Sequence, residues 1–257
     1  MKDFVYIIPL TPDSVLTPFR RALREITLRS LLNQTSDNWQ AILIGEEEKI
    51  DGHLIYIKTN AVEKSEKLMT AFAYLLQLKT KSDFIIRLDD DDIISPFILE
   101  RVATVEFDCY VDLYHSFYDI SSCTISQQKR DWMPNTIIHT FANAMTSYGE
   151  KGLPLFAHDH SKSWHLYYTG KRCLFAPKVH PIYLRVISPS TISSGNNSQH
   201  INAIDFQSYK KHLISFGKWK NFNLSDFQPY KDNLINIWEN FSGQKINIKN
   251  NLFFDLF

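Results

Sequence analysis

The sequence is poor in cysteine, neutral in net charge and free of long apolar runs, and each lack closes off a class of protein. Its three cysteines, Cys109, Cys123 and Cys173, are odd in number, widely spaced and without a Cys-x-x-Cys pair. That pattern argues against a disulfide framework and a structural zinc site, and reduced, mostly buried thiols are expected. Lys+Arg and Asp+Glu are both 28, so the formal net charge is zero. A nucleic-acid partner is therefore not expected, since it would need a local basic patch, and weak self-repulsion leaves room for a homo-oligomer. No apolar run approaches the roughly 18 residues that span a bilayer. The stretch from Met1 to Leu10 is interrupted by Pro9 and lacks a basic leader and a small-residue cleavage site, so it reads as a strand rather than a signal peptide. There is no internal repeat and no long low-complexity segment.

What is present is an ordinary globular balance, 44% hydrophobic and 22% charged over 257 residues. This suits one large α/β domain, or one domain with an appendage. Phe4-Val5-Tyr6-Ile7-Ile8 is apolar on both faces, as a central strand covered by helices must be. From Pro18 to Gln34 the period becomes helical, with Phe19, Leu23, Ile26, Leu28, Leu31 and Leu32 recurring among arginines. Further strands are expected at 41–44, 54–57 and 84–88, and a helix over 65–78. The alternation predicts an open, mostly parallel sheet, in which ligands bind beyond the carboxyl ends of the strands. Thr11-Pro12-Asp13, Glu46-Glu47-Glu48 and Asp89-Asp90-Asp91-Asp92 follow three of those strands and are expected along one edge. After Leu99 the pattern weakens: strand-like pieces at 109–114, 174–175 and 182–187, a helix near 135–144, and turns at 149–154 and 188–197.

The four aspartates are the main chemical signal. Carboxylates this close raise one another's pKa unless a cation compensates. If strand geometry persists, Asp89 and Asp91 face one way and Asp90 and Asp92 the other. Two such oxygen ligands, completed by phosphates and water, suit Mg²⁺ or Mn²⁺.

With those residues in place, residues 1–100 resemble a GT-A fold glycosyltransferase, of the family 2-like and bacterial rhamnosyltransferase-like group. The resemblance runs through Ile7-Ile8-Pro9, Leu28-Arg29-Ser30-Leu31-Leu32 with Gln34, Asn38 to Gly45, and Arg87-Leu88-Asp89-Asp90-Asp91-Asp92. It implies a Rossmann-like mixed sheet with helices on both faces, spanning 1–204: a nucleotide-binding half (1–100), then an acceptor half (101–204). Residues 205–257, rich in aromatics and lysine, read as a helical extension packed on the domain. It also implies transfer of a sugar from a UDP-, GDP- or dTDP-sugar to a glycan or glycolipid, with inversion, in bacterial surface-polysaccharide synthesis. By the same resemblance Asp89 and Asp91, helped by Asp92, hold the metal. Pro9, Glu46, Arg87, Asp89 and Asp90 lie near the nucleotide, and Lys64 or Lys67 adds positive charge. The expected location is the cytoplasm, with room for peripheral contact with the inner membrane face.

An inverting enzyme needs a general base, and two candidates stand out. Asp159 lies between His158 and His160 ahead of Trp164-His165-Leu166-Tyr167-Tyr168, and Glu150 follows Gly149. Asp159 is preferred. Ser188 stands where related enzymes carry a late histidine ligand, with His180 and His200 as nearby substitutes. Two alternatives remain open: a GT-A-like domain that binds nucleotide or glycan without turnover, and a haloacid-dehalogenase-type phosphatase. Asp92-Ile93 after the Asp-x-Asp, and the lack of a later Gly-Asp-x-x-x-Asp, disfavour the phosphatase. The lack of a glycine-rich loop in Ile8–Asp13 disfavours a nucleotidyltransferase.

Overall fold

The structure is a computed structural model describing residues 2–78, 82–129, 135, 137–149, 152–158, 164–189 and 218–246. The first strands are β1 (Phe4–Pro9), β2 (Trp39–Gly45), β3 (Lys49–Asp51), β4 (Leu54–Lys58) and β5 (Phe84–Arg87). Two helices join them, α1 (Pro18–Leu32) and α2 (Lys64–Gln77). β1 is buried throughout and pairs in parallel with β2 on one side and β5 on the other. Its side chains alternate between two cores. Phe4, Tyr6 and Ile8 pack with Leu31 of α1, and Val5 and Ile7 with Leu68, Ala71 and Leu75 of α2. Each such residue, wholly removed from water, contributes about 1.5–3 kcal/mol.

The chain then leaves the first sheet. β6 (Ile93–Ile94) lies in a second sheet, and α3 (Ile98–Ala103) returns to the first through β7 (Cys109–Val111). β8 (Tyr114–Asp119) and β9 (Thr124–Lys129) form a hairpin of the second sheet. β10 (Ile137–Thr140) goes back to the first and runs into α4 (Phe141–Met145). A small ribbon, β11 (Ser147–Tyr148) with β12 (Leu153–Pro154), precedes α5 (Trp164–Tyr167). The last elements are β13 (Cys173–Phe175), β14 (Tyr183–Ile187), β15 (Lys220–Asn221) and α6 (Gln228–Ser242).

The large sheet has the order β13-β7-β10-β5-β1-β2-β4-β3 and the small one β15-β9-β8-β14-β6. In the large sheet β10 is antiparallel to both neighbours, β5 and β7. α6 packs Tyr230, Leu234 and Trp238 on Phe19, Leu23 and Ile26 of α1 and on Leu184 and Val186 of β14. The three cysteines are free thiols, Cys109 and Cys123 buried. Among the described residues no helix is long and apolar enough to cross a membrane.

Two expectations need correction. The helix expected near 135–144 is a strand over Ile137–Thr140, and helix begins only at Phe141, capped by the Thr140 hydroxyl. Ile137, Ile138 and His139 are fully buried between β5 and β7, and that long-range pairing outweighs any local helical tendency. The single strand expected at 109–114 is two strands in different sheets. The chain breaks at Asp112, whose buried carboxylate accepts the Ile182 N–H with both oxygens, at 3.0 and 2.9 Å. The terminal run 252–257 and nearly all of the loop expected at 188–197 lie outside the described residues.

Candidate active site at the carboxyl edge of the large sheet

From β1 the chain moves through β2 to β4 on one side and then returns to β5 on the other. The gap between β1 and β5 is therefore the point at which the sheet changes direction, where open α/β sheets leave a crevice beyond their strand ends. Thr11 follows β1 there and the acidic run follows β5. The two are bonded: Asp90 accepts the Thr11 N–H at 2.7 Å and its hydroxyl at 2.9 Å. The third polar cluster joins them, since Glu46 accepts the Asp13 N–H at 3.0 Å. The expected common edge is thus present. A cleft of about 160 Å³ opens beside it, lined among others by Thr11, Asp13, Arg24, Glu46 and Tyr56.

The strand alternation expected for the aspartates does not persist. The chain turns instead, with the Asp92 N–H donating to the Asp89 carbonyl at 3.3 Å, on its way from β5 into β6. The four carboxylates consequently meet four different surroundings. Asp89 is paired with Lys64 at the start of α2. Asp90, 4% exposed, takes Arg24 Nε and Nη2, each at 3.0 Å, and Arg20 at 3.4 Å. Asp91 pairs with the same Arg20 nitrogen, at 3.2 Å. Asp92, 2% exposed, accepts the Val186 N–H at 3.2 Å and Asn135 Nδ2 at 3.4 Å.

Charge is distributed unevenly over them. Burial would raise the Asp89 carboxyl, but Lys64, then Arg87 and Arg185, outweigh it and hold it well below the usual carboxylate range. Asp91 is raised: burial dominates, Arg20 opposes it, and Asp90 and Asp89 add to the rise. Asp92 is raised well above its ordinary value by burial and by Asp91, with Arg185 opposing. Arg20 is raised because Asp91 and Asp90 more than offset the cost of its burial.

The other residues expected at the site have the following surroundings. Asp90, expected near the nucleotide, is taken up by the frame, because its oxygens are already held by Thr11 and two arginines. Arg87 is 1% exposed and donates to the carbonyls of His158 at 2.9 Å and Phe156 at 3.5 Å, facing away from the open cleft. Lys67 is buried on the Leu10 carbonyl at 2.7 Å, and burial lowers its pKa. Pro9 is buried at the end of β1, opposite Ile44. Glu46 is exposed on the rim of the cleft. His180 sits near Asp226 at 3.2 Å and Arg101 at 3.3 Å, in a clasp that also includes Ser95. Asp159, Glu150 and His200 lie outside the described residues. Arg20, Arg24 and Arg185 are not among the residues that the sequence pattern singles out. Their i, i+4 spacing puts Arg20 and Arg24 on one face, but only the fold supplies the carboxylate they meet.

No family model and no curated protein matches the sequence. Among solved structures the chain is similar to TarS 1–349 from S. aureus, at 13% identity and a TM-score of 0.47, covering 94% of this chain and 80% of that one. It is also similar to Rv0371c from Mycobacterium tuberculosis H37Rv, at 14% identity and a TM-score of 0.41, covering 83% and 99%. A third is a glycosyltransferase involved in the glycosylation of the major capsid of PBCV-1, at 8% identity and a TM-score of 0.39, covering 82% and 99%. The fold is a Rossmann-like mixed sheet, with α1 and α3 on one face and α2 and α4 on the other. In this domain the acidic turn is the link between the large sheet and the small one, so its position is fixed from both.

Proposed function

We propose that the chain is a glycosyltransferase that moves a sugar from a nucleotide-diphospho-sugar to a hydroxyl of a glycan or glycolipid, with inversion, in bacterial surface-polysaccharide synthesis. The observation that carries this reading is the bonding of the acidic turn after β5 to Thr11 after β1, beside the Glu46-rimmed cleft. That edge can receive a nucleotide and a charged leaving group together.

The donor set fits a divalent cation in part. Asp89 and Asp91 offer hard oxygen ligands, and the raised Asp91 carboxyl marks a place where added positive charge is favourable. Asp92 is bonded to Val186 and Asn135, so its part is to brace the turn. Among the described residues no three His, Cys, Asp or Glu side chains converge, so phosphate and water oxygens would complete the shell. Bound Mn²⁺ or Mg²⁺ would stabilise the negative charge of the departing nucleoside diphosphate. Lys64 and Arg20 bring further cations to the same carboxylates, and Glu46 offers an acceptor to the base. Asp159 is the preferred base.

Calorimetry with UDP, GDP, CDP and dTDP, with and without Mn²⁺, tests the reading. Metal-dependent binding of at least one is expected, and Asp91→Ala should abolish it without unfolding the chain. Absence of binding to all four sinks the proposal. Asp159→Asn should remove transfer and donor hydrolysis while sparing nucleotide binding. A second reading, nucleotide or glycan binding without turnover, draws on the lysine and arginine already paired with Asp89 and Asp91. Tight nucleotide binding with no hydrolysis of any nucleotide-sugar would favour it.

A further inference from the structure

β14 pairs antiparallel with β6, with Tyr183 opposite Ile94 and Leu184 opposite Ile93. One step further in that register brings Arg185 beside Asp92, and the Val186 N–H closes the contact on the Asp92 carboxylate. Side chains alternate along a strand. Leu184 and Val186 enter the apolar cluster shared with Ile93, so Arg185 falls on the other face, toward the acidic turn. It is half-buried there. Arg20 reaches the turn from α1 and Lys64 from α2, each paired directly with a carboxylate. Arg185 approaches from the second sheet. A guanidinium presents a planar fork of N–H donors that matches phosphate oxygens.

Resting on the nucleotide-sugar reading, we propose that Arg185 is a donor-binding residue that contacts the diphosphate. It stands on β14, on the face opposite Leu184 and Val186, and supplies fixed charge beside the acidic turn. Such a cation opposes the metal when it arrives alone and favours the diphosphate, so metal and nucleotide bind as a coupled pair.

Calorimetry on the full chain tests this, with Mn²⁺ alone and then with the same four nucleoside diphosphates at saturating Mn²⁺. Arg185→Gln should weaken the diphosphate that the wild type binds by about tenfold or more, the scale of one charge-assisted contact. The same variant should bind Mn²⁺ alone more tightly than the wild type, and Arg185→Lys should recover part of the nucleotide affinity. A purely structural arginine would weaken both ligands together. Parallel loss of both, or nucleotide affinity within twofold of the wild type, overturns the proposal. If Arg185→Gln does not fold, Arg185→Gln with Asp92→Asn, compared with Asp92→Asn alone, removes the buried carboxylate with its partner and makes the same comparison. A wild type that binds no nucleoside diphosphate refutes the underlying reading; a binding wild type with an indifferent Arg185 refutes only this inference.

Discussion

Substituting Asp90 and Asp91 one at a time should separate frame from site, because adjacent carboxylates make opposite contributions to folding. Asp90 accepts from the Thr11 amide and hydroxyl and from Arg24 and Arg20, while itself only 4% exposed. The two arginine side chains are 13% and 19% exposed, so their loss of a partner is only weakly repaired by water. Removing one member of a buried, hydrogen-bonded ion pair costs about 3–5 kcal/mol. For a chain near this length each kcal/mol moves Tm by about 2–4 °C, so Asp90→Ala should lower Tm by roughly 6–20 °C. Asp90→Asn, which retains an acceptor oxygen, should sit toward the low end. Asp91 is the reverse case. Burial, reinforced by Asp90 and Asp89 against Arg20, raises its folded-state pKa, so its charge opposes folding at neutral pH. Asp91→Asn should therefore melt at or above the wild type in metal-free buffer, while losing metal-dependent nucleotide binding. Differential scanning calorimetry at pH 7 in EDTA reads both variants. An Asp90→Ala chain that melts with the wild type, or an Asp91→Asn chain that melts well below it, would refute the division.

Two further perturbations probe the body of the fold. Asp226, held by Arg101 and by the Ser95 hydroxyl at 2.8 Å, is kept below the usual carboxylate range: burial alone would raise it, and those bonds outweigh burial. Its stabilisation is present above the unfolded pKa and is lost as pH falls through the folded one. Asp226→Asn should cost about 2 kcal/mol at pH 7, with the gap from the wild type closing toward pH 3 in urea titrations. His139, buried in β10 with Tyr168 Oη 2.5 Å from Nδ1, is pushed down by burial to about 3. The unfolded chain takes up that proton near pH 6.5, so stability falls by up to about 1.4 kcal/mol per unit as pH drops from 6.5 toward 3. His139→Gln should flatten this slope in urea melts at pH 7, 6 and 5; an unchanged slope would show that other groups set the acid limit.

The first half of the fold is legible because its order is local and doubled. β1, β2 and β5 are largely apolar on both faces, and α1 and α2 carry one apolar stripe each. The second half is built by partners distant in the chain. The four residues of β10 become a strand because they insert between β5 and β7, and no window of sequence contains that event. The hairpin of β8 and β9 is equally hidden. Polar Gln127, Gln128 and Lys129 finish β9, and its pattern suggests neither a buried strand nor an amphipathic helix.

The acidic run shows where legibility stops within a site. Four carboxylates after a buried strand announce a charged function from composition alone, but their division of labour depends on the turn that links two sheets. Had β5 continued straight, Asp90 and Asp92 would share a face. The bond from Asp92 to the Asp89 carbonyl instead sends Asp90 toward α1 and Asp92 toward β14. The cations that answer them come from three elements far apart in sequence: Arg20 and Arg24 on α1, Lys64 on α2 and Arg185 on β14. A carboxylate cluster is stable only where such cations converge, so in this molecule the arginines define the site as much as the aspartates do. The sequence displays the acids together and scatters their partners, which is why the motif could be read and the site could not.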